Sequence, residues 1–321
     1  MKWFVSPREL RRRGVVGMNQ RNAGLISELN PRSRYPLVDD KLRTKQLALE
    51  AGIAVPELYG VIETNHDIRH LPRIVARSDD FVIKPAHGAG GNGILVITGR
   101  MRDSFRKSSG RMVDLEGVGH HVSNVLSGMH SLGGQPDTAM VEYRVKFDPL
   151  FEKVSFQGVP DIRTVVYKGY PIMAMVRLPT RDSDGKANLH QGAVGVGVNM
   201  ATGRTGQGVW HNRIVDLHPD TGAPIKNLQI PDWDTLLELA ARCFELTGLG
   251  YLGVDVVLDR ERGPLMLELN ARPGLAVQLA NGAGLGERVR VIDALQRERH
   301  PPQSRATLAQ ERFSQAIQPA A

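Results

Sequence analysis

Asp255, Glu268 and Asn270 put two carboxylates and an amide oxygen inside one stretch, GVDVVLDRERGPLMLELNAR at 253–272. All three are hard oxygen donors. That ligand type suits Mg²⁺, which keeps several waters and completes its shell with substrate phosphates. Residues 253–259 alternate as a strand does, 260–264 are turn-formers, and 265–270 alternate again, which predicts a β-hairpin. In its second strand Leu265, Leu267 and Leu269 share one face, and Met266, Glu268 and Asn270 share the other. Pairing symmetric about the turn sets Asp255 opposite Glu268, with Asn270 next along the same face. A hairpin with a merely solvated polar face has the same local pattern, so other segments must decide.

Upstream, a lysine leads into a glycine-rich loop. Residues 81–85 (FVIKP) and 94–98 (ILVIT) read as strands and enclose HGAGGNG at 87–93. Gly88, Gly90, Gly91 and Gly93 permit positive φ and carry no Cβ, so successive backbone N–H groups can turn toward an anion. Lys84 adds a point charge for a polyphosphate. The spacing also fits G-x-G-x-x-G, but that fingerprint needs a helix after the glycines, and a strand-like run follows instead. The chain lacks a following Gly-Lys-Ser/Thr, which excludes a Walker A loop. It also lacks His-Arg-Asp and Asp-Phe-Gly, the catalytic triplets of protein kinases. A flexible turn needs fewer glycines than this, which favours phosphate binding.

Between loop and hairpin come MVEYR at 140–144, DIRTVVY at 161–167 with Lys168-Gly169 as a turn before the strand 170–178, and KANLHQG at 186–192. In this order the pieces resemble the ATP-grasp superfamily, and within it the RimK-type, glutamate ligase-like proteins, over residues 39–275. The resemblance implies an α+β fold, two α/β lobes with antiparallel sheets gripping ATP, here behind a reduced N-terminal domain. It implies that Lys41 and Lys84 contact the nucleotide phosphates under a flexible loop containing Gly88, Gly90, Gly91 and Gly93. Glu142 and Tyr143 match the hinge that holds adenine and ribose. Asp161, Lys186 and Asn188 match nucleotide contacts, and Arg163, His190 and Arg272 match the reaction centre. Asp255, Glu268 and Asn270 match the metal ligands. At Lys186 RimK-type enzymes tend to have arginine, and lysine keeps that charge without the planar fork.

The implied activity is an ATP-dependent carboxylate–amine ligation through an acyl phosphate, adding glutamate or a similar amino acid to a peptide or small-molecule acceptor. The implied cofactors are ATP and one or two Mg²⁺, with Mn²⁺ as a substitute. Arg163 or Arg272 would orient the attacking carboxylate, since a guanidinium matches it bidentately, with Arg177 on the facing strand a further candidate, and His190 is a candidate base by residue type. Two alternatives stay open: a non-catalytic ATP-binding regulator on the same scaffold, and another ATP-grasp chemistry such as a kinase or carboxylase.

Composition bounds these readings. No apolar run reaches the roughly 18 residues of a membrane helix, and charge enters too early at the start for a signal peptide. The one cysteine, Cys243, excludes an internal disulfide framework and points to a reducing cytoplasm. A net charge of +7, with arginines at 8, 11, 12 and 13, suits an anionic small substrate. Sparse aromatics and the lack of a nucleic-acid motif argue against nucleic-acid partners, and homo-oligomerisation stays open.

The elements that position these residues follow from pattern. Residues 1–38 form an irregular or helical lead-in, and 39–145 a first lobe with the glycine loop. Residues 146–295 form a second lobe with the metal hairpin, and 296–321 a disordered or weakly helical tail. Helices are expected over 39–51, capped by aspartate and ended at Gly52, near 115–126, and over 231–248. His120 and His121 are adjacent and so do not share a helix face, which argues against a metal site there.

Overall fold

Alternating apolar residues build two separate antiparallel sheets, and the chain divides into two compact units around them. The computed structural model describes residues 5–88, 90–295 and 300–313. One unit comprises Asp40–Gln46 and Val55–Lys146; the other comprises Met1–Asp39, Leu47–Ala54 and Phe147–Ala321. The sequence boundaries at 39 and 145 miss this interleaving, because the lead-in and 47–54 belong to the second unit.

The first unit holds β1 (Leu58–Ile62), β2 (Phe81–Pro85), β3 (Leu95–Met101), β4 (Ser104–Lys107), β5 (Met112–Asp114) and β6 (Ala139–Glu142). Their order across the sheet is β1-β6-β2-β3-β4-β5. The helix Leu115–Leu126 starts where Asp114 accepts a hydrogen bond from the Gly117 N–H. It buries Val118, Val122, Val125 and Leu126 against Phe81, Ile83 and Ile97 of the sheet. The helix Lys41–Glu50 is capped by Asp40, whose Oδ1 accepts from the N–H groups of Leu42 and Arg43.

The second unit holds β7 (Asp161–Tyr167), β8 (Tyr170–Leu178), β9 (Val194–Val198), β10 (Thr205–Trp210), β11 (Arg213–Val215), β12 (Tyr251–Asp259) and β13 (Gly263–Asn270). Their order is β11-β10-β9-β8-β7-β12-β13. Lys168 and Gly169 both have positive φ, the requirement of the two-residue turn joining β7 to β8. The helix Trp233–Thr247 buries Leu236, Leu237, Ala240 and Cys243, and Gly248 ends it in the left-handed region.

A further helix, Pro302–Arg312, falls within the segment expected to be a disordered or weakly helical tail. Its composition is polar, but Ala306 and Ala309 are small enough to let it lie against the Trp233–Thr247 helix. Arg305 is buried there, with its guanidinium over Phe244 and paired with Glu245. The rest of the tail expectation, 296–299 and 314–321, lies outside the described residues. The arginines at 8, 11, 12 and 13 are exposed, and Glu9 pairs with Arg12 and Arg13. No helix among the described residues is long and apolar enough to cross a membrane.

Candidate active site

In the second unit four neighbouring strands carry one row of charge. The hairpin β12–β13 pairs Asp259 with Gly263 and Val256 with Met266, then slips by one residue before pairing Asp255 with Glu268 and Gly253 with Asn270. Leu267 is the extra residue, and this bulge is what sets Glu268 opposite Asp255. On the other side β7 places Arg163 opposite Asp255, and β8 places Arg177 opposite Asp161. Gly253 leaves room in the row. A Cβ there would lie 3.3 Å from Arg163 Cδ and 3.4 Å from Asn270 Cβ.

Asp255 is fully buried. Arg163 Nε donates to its Oδ1, and Arg163 Nη2 and Arg177 Nη2 donate to Oδ2 at 2.5 and 2.8 Å. Arg177 also closes a fork on Asp161, with Nε and Nη2 each 2.5 Å from a carboxylate oxygen. Burial opposes ionisation of Asp255, but Arg163 and Arg177 outweigh it and hold its carboxyl well below the usual range. Asp161 goes the other way: burial pushes it up despite the Arg177 fork, and the Asp255 charge adds to the push.

Asn270 Nδ2 lies 3.4 Å from Asp255 Oδ2 and 3.5 Å from Glu268 Oε1. Exchanging the amide ends by rotation turns the Asn270 oxygen toward both carboxylates, giving three convergent hard oxygen donors. Among the described residues no three His, Cys, Asp or Glu side chains group to hold a metal. The donors fit a hard divalent cation that draws further ligands from water and substrate.

The first unit gathers lysines instead. Lys84, on β2, lies 2.5 Å from Glu142 Oε1, and Lys45, on the helix Lys41–Glu50, lies 2.7 Å from Oε2. Burial pushes Lys45 down to about 8, Glu142 pulls it back up, and Lys84 adds to the fall. Burial opposes ionisation of Glu142, but the two ammoniums hold its carboxyl below the usual range. Its carboxylate does not open outward toward an adenine or ribose; it is buried between the two lysines.

The glycine loop is held at both ends. At its start, Asp137 accepts from the His87 N–H, from Ser131 Oγ at 2.6 Å and from the Thr138 N–H at 2.7 Å, with His87 Nδ1 at 2.8 Å. Lys41 Nζ donates to the Gly88 carbonyl. At its end, His121 Nε2 lies 3.0 Å from the Gly93 carbonyl, and a Cβ on Gly93 would strike the His130 ring. Gly90, Gly91 and Gly93 have positive φ. Gly88 does not need it, but a Cβ there would come within 2.3 Å of Pro85 Cγ.

The remaining expected residues are more scattered. Tyr143 is buried, and its N–H donates to the Glu57 carbonyl. Lys186, Asn188 and His190 lie on the loop before β9, where Asn188 Oδ1 accepts from the His190 N–H and His190 is exposed. Arg272 is exposed, with its guanidinium 5.1 Å from the Tyr35 ring centre.

Three residues that sequence reasoning left outside the site matter to its construction: Lys45, Asp137 and Asn30. Lys45 had one readable signal, its i, i+4 spacing from Lys41 on a predicted helix. Asn30 is buried, and its Nδ2 donates to the carbonyls of Tyr251 and Ala271 while its Oδ1 accepts from the Tyr251 N–H. The lead-in thereby ties the start of β12 to the exit of β13, the two ends of the acid hairpin.

The geometry can be set beside known proteins. A probable alpha-L-glutamate ligase from Enterobacter sp. (strain 638) is 25% identical over 237 residues, covering 74% of this chain and 56% of the relative. The chain thus spans little more than half the length of that curated relative. A RimK domain protein from Sphaerobacter thermophilus superposes with a TM-score of 0.45 at 16% identity, over 81% of this chain and 69% of that one. A D-alanine–D-alanine ligase from Bacillus anthracis superposes with a TM-score of 0.43 at 12% identity, over 88% and 70%. The family model described as sugar-transfer associated ATP-grasp matches residues 20–294, most of the chain, and the protein belongs to that family.

Proposed function

We propose that the protein is an ATP- and Mg²⁺-dependent carboxylate–amine ligase that joins glutamate or a similar amino acid to a peptide or small-molecule acceptor. The observation that carries this reading is the row on β8, β7, β12 and β13, where Asp255, Glu268 and Asn270 stand beside Arg163 and Arg177. A cation ligand set next to guanidiniums is what transfer of a phosphoryl group to a carboxylate requires. When bound, Mg²⁺ would neutralise charge on the β- and γ-phosphates, held by Asp255, Glu268 and Asn270.

The chain's own groups supply positioning. Lys84 and Lys45 present positive charge suited to phosphate oxygens, and the amides of the glycine loop point at an anion from a loop whose ends are held. Arg163 and Arg177 orient the acceptor carboxylate, whose oxygen attacks the γ-phosphorus as ADP leaves. The amine nitrogen then attacks the acyl carbon, inorganic phosphate leaves and a proton is released. Closure of the loop excludes water from the acyl phosphate. The glutamate ligase relative favours an amino acid as one partner.

The test is ADP and phosphate release with Mg²⁺-ATP against pairs of acids and amines, with mass spectrometry of the product. Release that depends on one acid–amine pair, with a product of one condensation, supports ligation. ATP binding without release under every pair would favour a regulator, and phosphorylated product without an amine would favour a kinase.

A further inference from the structure

We propose that Arg163 and Arg177 are built-in competitors of the divalent cation at Asp255, so that cation entry displaces guanidinium from the carboxylate and turns it toward an anionic substrate group. This rests on reading Asp255, Glu268 and Asn270 as the cation's ligands. Both oxygens of Asp255 are engaged by guanidinium, Oδ1 by Arg163 and Oδ2 by Arg163 and Arg177, in a position fully removed from solvent. Mg²⁺ needs direct carboxylate oxygen contact at about 2.1 Å. A planar fork closed on the same two oxygens occupies that place.

The exchange is chemically balanced for the buried carboxylate. An isolated buried charge is costly, so Asp255 needs a positive partner at all times. Guanidinium serves when the cation is elsewhere, and the cation serves once it arrives. The two arginines differ in how readily they can leave. Arg177 keeps its fork on Asp161 whether or not it touches Asp255, whereas the Arg163 fork closes on Asp255 itself. Arg163 is therefore the group whose release matters most.

Charge makes the exchange dependent on a second ligand. Counted by formal charge, Asp161, Asp255 and Glu268 exceed Arg163 and Arg177 by at most one negative charge, because burial favours the protonated form of Asp161. A divalent cation would leave the row positive by at least one, with a guanidinium newly released. An anion arriving with the cation restores neutrality, so cation affinity and affinity for a phosphate or carboxylate reinforce each other.

Mn²⁺ serves as the probe because it shares the oxygen-ligand preference of Mg²⁺ and is paramagnetic. It is titrated into the full chain without nucleotide, and free Mn²⁺ is read by electron paramagnetic resonance. R163M is expected to bind Mn²⁺ about tenfold more tightly than the unaltered protein, since a competing unit charge has been removed. R163K falls between them, and R177M shifts in the same direction by less. Mn²⁺ should also raise the Tm of R163M by more than that of the unaltered protein.

Affinity unchanged or weaker in both R163M and R177M, with E268Q still weakening binding, overturns the competition and leaves the ligand set standing. Mn²⁺ binding that E268Q leaves untouched removes the ligand set, and the inference with it. If R163M does not fold, R177M carries the sign of the effect.

Discussion

In the six-stranded unit one buried carboxylate, Glu142, is shared by two ammoniums, Lys45 and Lys84. In the seven-stranded unit three carboxylates, Asp161, Asp255 and Glu268, surround two guanidiniums, Arg163 and Arg177. The first cluster has positive charge in excess and the second has negative. On the proposed function, that bias suits an anion at the lysines and a cation at the acids. The supports differ too. The lysines come from a helix and a strand beside a loop of glycines, a setting that can close on a ligand. The acid row is fixed by the hydrogen-bond ladder of four adjacent strands, a setting that keeps ligand spacing constant.

The largest effects should come from removing the charge that defines each cluster. E268Q and K84A should each lower ATP turnover on the order of a hundredfold or more, as loss of a group stabilising transferring charge does. They should separate when Mg²⁺ and ATP are varied independently. Extra Mg²⁺ should partly restore E268Q and do nothing for K84A. The same response in both variants would break the assignment of one ligand to each cluster.

Next come the supports. D137A removes the buried acceptor shared by His87, Ser131 and Thr138, and should cost about 2 kcal/mol in urea unfolding, since several hydrogen bonds are lost together. N30A leaves Tyr251 and Ala271 without their side-chain partner, and should cost about 2 kcal/mol. If the supports are local, D137A raises the KM for ATP, and N30A raises the Mg²⁺ concentration needed for half-maximal turnover. The reverse pattern would contradict that local division of labour.

A smaller effect is set by pH. Burial holds Lys45 at about 8 against an ordinary 10.5. Between those values the unfolded chain binds more protons than the folded one, so stability should rise with pH across that window. Urea midpoints through pH 8–10.5 should show this rise, and K45M should flatten it. No such contribution is expected from the acid row there, because Arg163 and Arg177 keep Asp255 ionised far below that range.

The smallest change is expected at His190. It is exposed on its loop, so H190A should alter turnover by less than about threefold, where loss of a true general base costs 10²–10⁴. A hundredfold loss would assign His190 the role of base and draw its loop into the reaction centre.

Much of the architecture was legible because its signals are local. Alternation placed the metal hairpin, the Lys168-Gly169 turn followed from residue type, and 3.6-residue periodicity placed the helices Leu115–Leu126 and Trp233–Thr247. The helix Pro302–Arg312 was legible only as weak helicity in a tail, and its packing was not. Its buried face is made of alanines and one arginine, which reads as polar until a partner helix and the Glu245 carboxylate are in place.

The chain's one-dimensional order was enough to put Asp255, Glu268 and Asn270 on one hairpin, to set a lysine before a glycine-rich loop, and to suggest the family. The side-chain period of a strand and the freedom of glycine are properties of a few consecutive residues. Tertiary structure alone decided that Leu267 bulges to align Asp255 with Glu268 and that Glu142 lies between two lysines. It also decided that Asp137 grips the loop and that Arg177 joins the acid row. Most of these pairings join residues far apart in sequence, and their energies depend on burial, which exists only once the sheets have formed.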